Sequence, residues 1–435
     1  MKKLLILSTT MLLPVLAQAA EAPKVKLGGR MDTIAASIKG KKEFRNTNPA
    51  NPTAATELNN FVIVNDTKLD VNVDGKSPEY DFKYGGMIRL NSDASTASSS
   101  ETSFGDKTMV YLEHNKIGRL EAGNTPGAGA LLEMGTSFLN TGSWGVEGFS
   151  MLFIEDKTMR YAELHEPLTL YGQPVEDTRA LEFIETPNLP SNYSGHYYSD
   201  APKVNFFTKP VSFVTLGITY IPDMDSTGTV KGMALKNGSA TYDSSRINNP
   251  ATFRNIVSGG IQFDKEVSKG IELKLSLAGE AGKAKSHLLH DLKAYETGFM
   301  VTYNKNTRLT ATYGNWMKTG ALRNPVAGAK QRADYWTAGV GQQIDKLGLA
   351  VTYMNSKKAG GIESLTTTGL INYVPTQESY ADYSTNNFNN IVFDIDYELA
   401  PGFKPYAGVS FYSFRESTGA KDNGSVVMIG NRLVF

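Results

Sequence analysis

From residue 25 to the terminal Phe435, apolar and polar side chains alternate in runs broken by turn residues. Strict period two is the mark of strands with one apolar and one polar face. The last run, GSVVMIGNRLVF at 424–435, sets Val427, Ile429, Leu433 and Phe435 on one face, with Asn431 as a polar exception. Val426, Met428, Gly430, Arg432 and Val434 fall on the other. A chain in water gains little by stopping on an exposed aromatic. A closing strand at a membrane boundary has a use for one. Phe435 and Leu433 are therefore expected to mark barrel closure, with an ordinary final strand of a soluble sheet as the alternative.

The other end of the chain bears on that choice. Lys2 and Lys3 precede an apolar run from Leu4 to Leu16, interrupted by Ser8, Thr9, Thr10 and Pro14, and Ala17-Gln18-Ala19 follows. A charged start, a short apolar run and a small-residue site predict a signal peptide over 1–19 and a mature chain over 20–435. The mature chain has no apolar run long enough for a transmembrane helix, which needs about 18 residues. If it spans a membrane, it does so as a closed barrel, which leaves no unpaired strand edge in lipid. With 0 cysteines, disulfides and thiolate metal sites are excluded. Basic and acidic side chains balance at 44 each, and loss of Lys2 and Lys3 leaves the mature chain slightly acidic. No nucleic-acid footprint exists.

Strands are expected at 25–38, 61–74, 80–90, 107–114, 117–123, 203–209, 213–221, 255–263, 271–279, 293–303, 308–315, 334–344, 347–354, 389–397, 403–413 and 424–435. The segments between them alternate long and short. Short turns on one side and long loops on the other predict an all-β fold, a closed antiparallel transmembrane β-barrel of about 16 strands. Side chains cannot fill a lumen of that size, so an aqueous channel is expected.

The longest connection, 124–200, is not low-complexity. Leu131, Leu132, Met134, Phe138, Leu139, Trp144, Phe149, Met151, Leu152 and Phe153 give it apolar surface, and Glu133, Glu147, Glu155, Asp156, Glu163 and Glu166 give it charge. Folded into the lumen, it would bury the first set and offer the second to the pore. An external cap is the alternative, open above all for the part after Leu164.

Parity also nominates a pore wall. Arg30, Lys68, Arg89 and Arg119 lie on the polar parity of the first five strands, opposite the apolar face. Asp394 and Asp396 share that parity and read as solvated wall charges.

VYLEHNKIGRLEAGNT at 110–125, APKVNFFTKPVSFVTLGITYIPD at 201–223 and the terminal-Phe strand, in this order and spacing, resemble the general porins of Gram-negative outer membranes. The resemblance covers the whole mature chain. It implies passive diffusion of ions and small hydrophilic solutes and a third loop folded into the lumen. It also implies a homotrimer joined through the outer faces of the first and last strands, contact with outer-membrane lipid, and recognition of the C-terminal strand by barrel-assembly machinery. The basic wall would then face Glu133 and Glu147 across the narrowest section, where opposed charges select by sign and size. The family often carries Arg after the glycine that ends strand five. Asn124 stands there, and the third loop is longer than usual. A less basic wall points to weak cation preference.

No HExxH, GxSxG or P-loop occurs, so no enzyme and no cofactor is expected. His287 and His290 form an isolated H-x-x-H, and the Asp223/Asp225 pair has no calcium-loop pattern behind it, so no metal is expected either. A phosphate- or sugar-selective channel would call for an arginine ladder or aromatic track, and an adhesin-like barrel for long surface loops such as 222–253 and 355–387. Both remain as alternatives.

Overall fold

In a computed structural model of the chain, the residues described are 21–40, 60–91, 105–154 except 140 and 152, 201–224, 253–285, 290–319, 323, 333–359, 385–415 and 421–435, plus the pairs 169–170, 173–174, 365–366 and 376–377. The expected signal peptide, His287, Asp225 and most of 155–200, 222–253 and 360–384 lie outside these residues.

Sixteen strands close into one antiparallel barrel. They are β1 (Glu21–Lys39), β2 (Phe61–Ser77), β3 (Phe82–Asn91), β4 (Gly105–His114), β5 (Gly118–Asn124), β6 (Pro202–Thr208), β7 (Val214–Asp223) and β8 (Phe253–Ser268). The second half comprises β9 (Ile271–Ala284), β10 (Leu292–Tyr303), β11 (Thr307–Met317), β12 (Ala333–Ile344), β13 (Leu347–Ala359), β14 (Thr385–Tyr397), β15 (Phe403–Arg415) and β16 (Lys421–Val434). Each strand pairs with its neighbours in the chain, and β16 returns to β1. The expected number of strands and the pairing of last with first are both observed.

Closure runs from Arg30 opposite Val434 to Lys39 opposite Ser425. Beyond it, Gly29 donates to the Phe435 carbonyl at 2.9 Å and Phe435 donates back at 3.2 Å. At the same end of the barrel the turns are tight. Asn304 and Lys305 between β10 and β11 both have positive φ, 48° and 65°. That is the turn whose twist matches the strands it joins.

Parity separates two environments. Leu216, Ile218, Leu275, Leu277, Phe393, Ile395, Val427 and Ile429 are exposed, while Thr219, Ser276, Asp394 and Asp396 on the other face are buried. Water does not tolerate an apolar band of this extent, whereas hydrocarbon requires it. Phe213, Tyr303, Tyr397 and Phe435 are exposed at the tight-turn rim, and Trp336 lies toward the other end. This is where aromatic girdles sit in a bilayer.

Several strands outrun the alternation. β2 continues to Ser77 and β8 to Ser268, past expected ends at 74 and 263. The extra residues of β8, Asp264-Lys265-Glu266-Val267-Ser268, are mostly polar and remain paired with β9. Ladder hydrogen bonds continue beyond the apolar band, where hydrophobic alternation no longer reports the strand.

Deleting Phe435 removes two seam hydrogen bonds, each contributing about 1 kcal/mol, and the aromatic at the rim. The variant is expected to lose its folded gel mobility in detergent at a lower temperature than wild type. An unchanged transition temperature would mean that closure does not depend on this residue.

Candidate pore-lining site

After β5 the chain leaves the sheet. A short helix, α1 (Ala128–Leu132), and 3-10 turns at Thr136–Leu139 and Gly145–Glu147 follow. Irregular backbone that is buried must have its polar groups satisfied within the protein. Side chains from strand after strand do so here. Asn205 of β6 donates to the Pro126 carbonyl at 2.9 Å, and Ala128 donates to Thr219 Oγ1 of β7 at 2.6 Å. Thr310 of β11 donates to the Gly135 carbonyl at 3.3 Å, and Val146 donates to Thr352 Oγ1 of β13 at 3.0 Å. Arg432 Nη2 of β16 donates to the Gly142 carbonyl at 2.8 Å. All these strand residues share the face opposite the apolar band.

Apolar packing follows the same path. Leu132 lies against Gly217 and Gly260, Met134 against Gly298, and Leu139 against Gly339 and Gly341. Val146, Phe149, Met151 and Ile154 form one cluster with Ile34, Ile38, Met354, Phe388, Tyr406 and Met428. Gly142 permits the closest approach, since a Cβ there would lie 2.2 Å from the Tyr406 Cβ.

Asp394 and Asp396 of β14 were expected to be solvated; the structure corrects this. They are 5% and 2% exposed and receive the middle of the segment. Asp394 accepts from Ser143 Oγ, from the Gly145 amide at 3.0 Å and from Thr141 Oγ1 at 3.2 Å. Asp396 accepts from the Gly142 amide at 2.9 Å and lies 3.4 Å from Lys404 Nζ. Parity assigns these carboxylates a face but cannot say what lands on it.

Glu147 accepts from the Thr136 amide at 2.6 Å, Thr136 Oγ1 at 2.7 Å and the Ser137 amide at 3.2 Å. It thereby ties one 3-10 turn to the other. Glu133 ends α1, and its Oε2 is shielded from solvent without a hydrogen bond among the described residues. Burial pushes the Glu133 carboxyl well above the usual carboxylate range, and the carboxylates of Glu296, Glu147 and Glu280 add to this.

The four nominated bases are paired along the wall. Arg30 bonds Asp66 and lies 2.9 Å from Asp32; Lys68, opposite Arg30, lies 4.0 Å from Asp66. Arg89 grips Asp70 with two bonds, 2.7 and 2.9 Å. Arg119 lies 2.6 Å from Glu121 and stacks 4.0 Å over the Tyr111 ring. Among the described residues no ion pair joins these bases to Glu133 or Glu147. What the segment does expose among its described residues 125–151 is apolar, Leu131 and Phe138. Arg432, on the inward parity of the last strand, joins the site without having been singled out from sequence. Its signal is that parity, which places Arg432 on the face opposite Val427 and Ile429.

The sequence model of the Gram-negative porin family matches residues 8–417. Similar chains include uncharacterized proteins of Rickettsia conorii, 24% identical over 381 residues and 78% of each chain, and of Rickettsia bellii, 25% identical over 398 residues and 80% of each chain. Among solved structures, the anion-selective porin from Comamonas acidovorans matches at TM-score 0.52 and 12% identity, over 95% of this chain and 100% of that one. A triple mutant of the Rhodopseudomonas blastica porin matches at TM-score 0.47, with the same identity and coverage. The likeness to the Comamonas protein is one of fold. With a family match across almost its whole length and a closed barrel of sixteen strands, the chain belongs to the Gram-negative porin family.

Proposed function

We propose that this porin forms a water-filled channel of the outer membrane for passive diffusion of ions and small hydrophilic solutes, with residues 125–154 folded into the lumen as its constriction. One observation carries the reading. The backbone of this segment is bound by side chains of the polar-parity face, from β6 round to β16. A cap outside the barrel could not reach these positions. Export through a signal peptide at 1–19, insertion through the C-terminal strand and assembly as a homotrimer belong to the same reading.

The exposed wall is then the charged row on β1–β5. Arg119, at 32%, is more exposed than its partners Glu121 and Glu113, at 8% and 13%, and Lys209 likewise exceeds Glu113. Glu147 is engaged within its own segment, and Glu133 has its Oε2 shielded from solvent. Around Glu113 and Glu121 accessible positive charge therefore exceeds negative, which favours weak anion preference over the cation preference expected from Asn124.

Purified protein in planar bilayers is expected to give ohmic conductance steps, with a reversal potential in a KCl gradient of the sign for chloride preference. Arg89→Gln/Arg119→Gln should move that potential toward cations, and Glu133→Gln/Glu147→Gln should leave it nearly unchanged. Absence of current would remove the channel reading and favour an adhesin-like barrel.

The Glu133 carboxyl adds a pH dependence. Its raised folded value means that its proton stabilises the docked segment. This contribution is fully present below the ordinary value of 4.5 and is lost as pH rises through the raised one. Channel noise is expected to grow with rising pH in wild type. Glu133→Gln should flatten the profile, and an identical profile in the variant would exclude Glu133 as the titrating group.

A further inference from the structure

We propose that Trp144 is a positioning residue of the constriction, pinning it to both sides of the barrel seam at once. The inference rests on the channel reading above. The Trp144 ring lies against two guanidinium groups, 4.6 Å from that of Arg30 on β1 and 4.0 Å from that of Arg432 on β16. These are the strands whose pairing closes the barrel. Both arginines pair with Asp32, which is fully buried: Arg432 Nε donates to Oδ1 at 2.9 Å, and Arg30 Nε lies 2.9 Å from Oδ2 as an ion pair. Asp32 and Asp66 engage the edges of these guanidiniums, and the face of an indole is the neutral side chain best suited to their flat faces. Trp144 also stacks on Phe149 at 5.1 Å, and Phe149 on Tyr406 at 6.3 Å.

The backbone supports the same conclusion. Trp144 has φ 64° and ψ 22°, and Gly145 follows at φ 65°. A left-handed conformation is unfavourable for a bulky side chain and easy for glycine or asparagine. Local backbone preference therefore opposes tryptophan at 144, and the contacts of its ring over-determine the strained conformation. Gly142, two residues earlier, is tied by its carbonyl to the same Arg432. Loss of the indole frees the segment from the seam while the hydrogen bonds to β14 remain.

The test is single-channel recording of Trp144→Ala, Trp144→Gly and Trp144→Phe. Two cation–π contacts of about 1 kcal/mol each correspond to a released fraction raised about tenfold or more. It should appear as flicker and higher mean conductance in the Ala and Gly variants, and less in Phe. The Gly variant relieves the backbone, so a quiet trace there would assign the effect to strain and overturn the proposal. A Cβ at Gly408 would lie 3.3 Å from Ser143 Oγ, and the chain has no cysteine of its own. In Ser143→Cys/Gly408→Cys/Trp144→Ala, oxidation should restore the steady level and reduction abolish it. Flicker that persists after cross-linking would overturn the proposal. If Trp144→Ala lacks folded mobility on a detergent gel, Arg30→Lys decides, since Arg432 also holds the Gly142 carbonyl. It keeps a charge near Asp32 but loses the flat stacking surface, so flicker supports the proposal and a wild-type trace overturns it. A conducting wild type with a quiet Trp144→Ala removes this inference alone, whereas a silent wild type removes the channel reading.

Discussion

Hydrocarbon offers no partner to a backbone N–H or carbonyl, and everything in this structure follows from that. A sheet meets the requirement only by leaving no edge. The ladder from Arg30–Val434 to Lys39–Ser425, extended by the Gly29–Phe435 pair, removes the last two edges. With the edges gone, each strand divides its side chains between lipid and interior, and the exposed leucines, isoleucines and valines are the result.

The segment after β5 solves the same problem differently. It has no ladder of its own, so its amides and carbonyls are bound one by one by Asn205, Thr219, Thr310, Thr352, Asp394, Asp396 and Arg432. Such a row of polar side chains would be costly on a buried face without partners. Here each one is matched to a particular backbone group. Glycines of the wall at 217, 260, 298, 339 and 341 leave room for the leucines and methionine that interleave with those bonds.

Most of the barrel was legible because a strand half in lipid states its face at every second residue. Leu273, Leu275 and Leu277 of β9 could hardly be read otherwise. Legibility stopped where lipid stopped, as at Asp264–Ser268, which stays in the sheet with no apolar alternation. It also stopped on the polar face. Arg89 and Asp394 share a parity, yet one grips a neighbouring strand and the other receives the segment from β5. The difference depends on where a distant stretch of chain comes to rest, and no local pattern encodes that. For the same reason Glu133 and Glu147 are legible as carboxylates of the segment after β5, whereas the way each one turns is not.

The anchors of the segment also set an order of events. Thr141 and Asp394 are separated by 253 positions in the chain, and Gly142 and Arg432 by 290. Ordering that much intervening chain costs loop-closure entropy before the bonds return anything. β14 and β16 must be in place before these partners exist. The segment from β5, although made early, can therefore be seated only among the last steps of folding. A newly closed barrel would pass through a stage in which this segment has still to find its anchors on β14 and β16, and the fully anchored form of the molecule would be the last to arise.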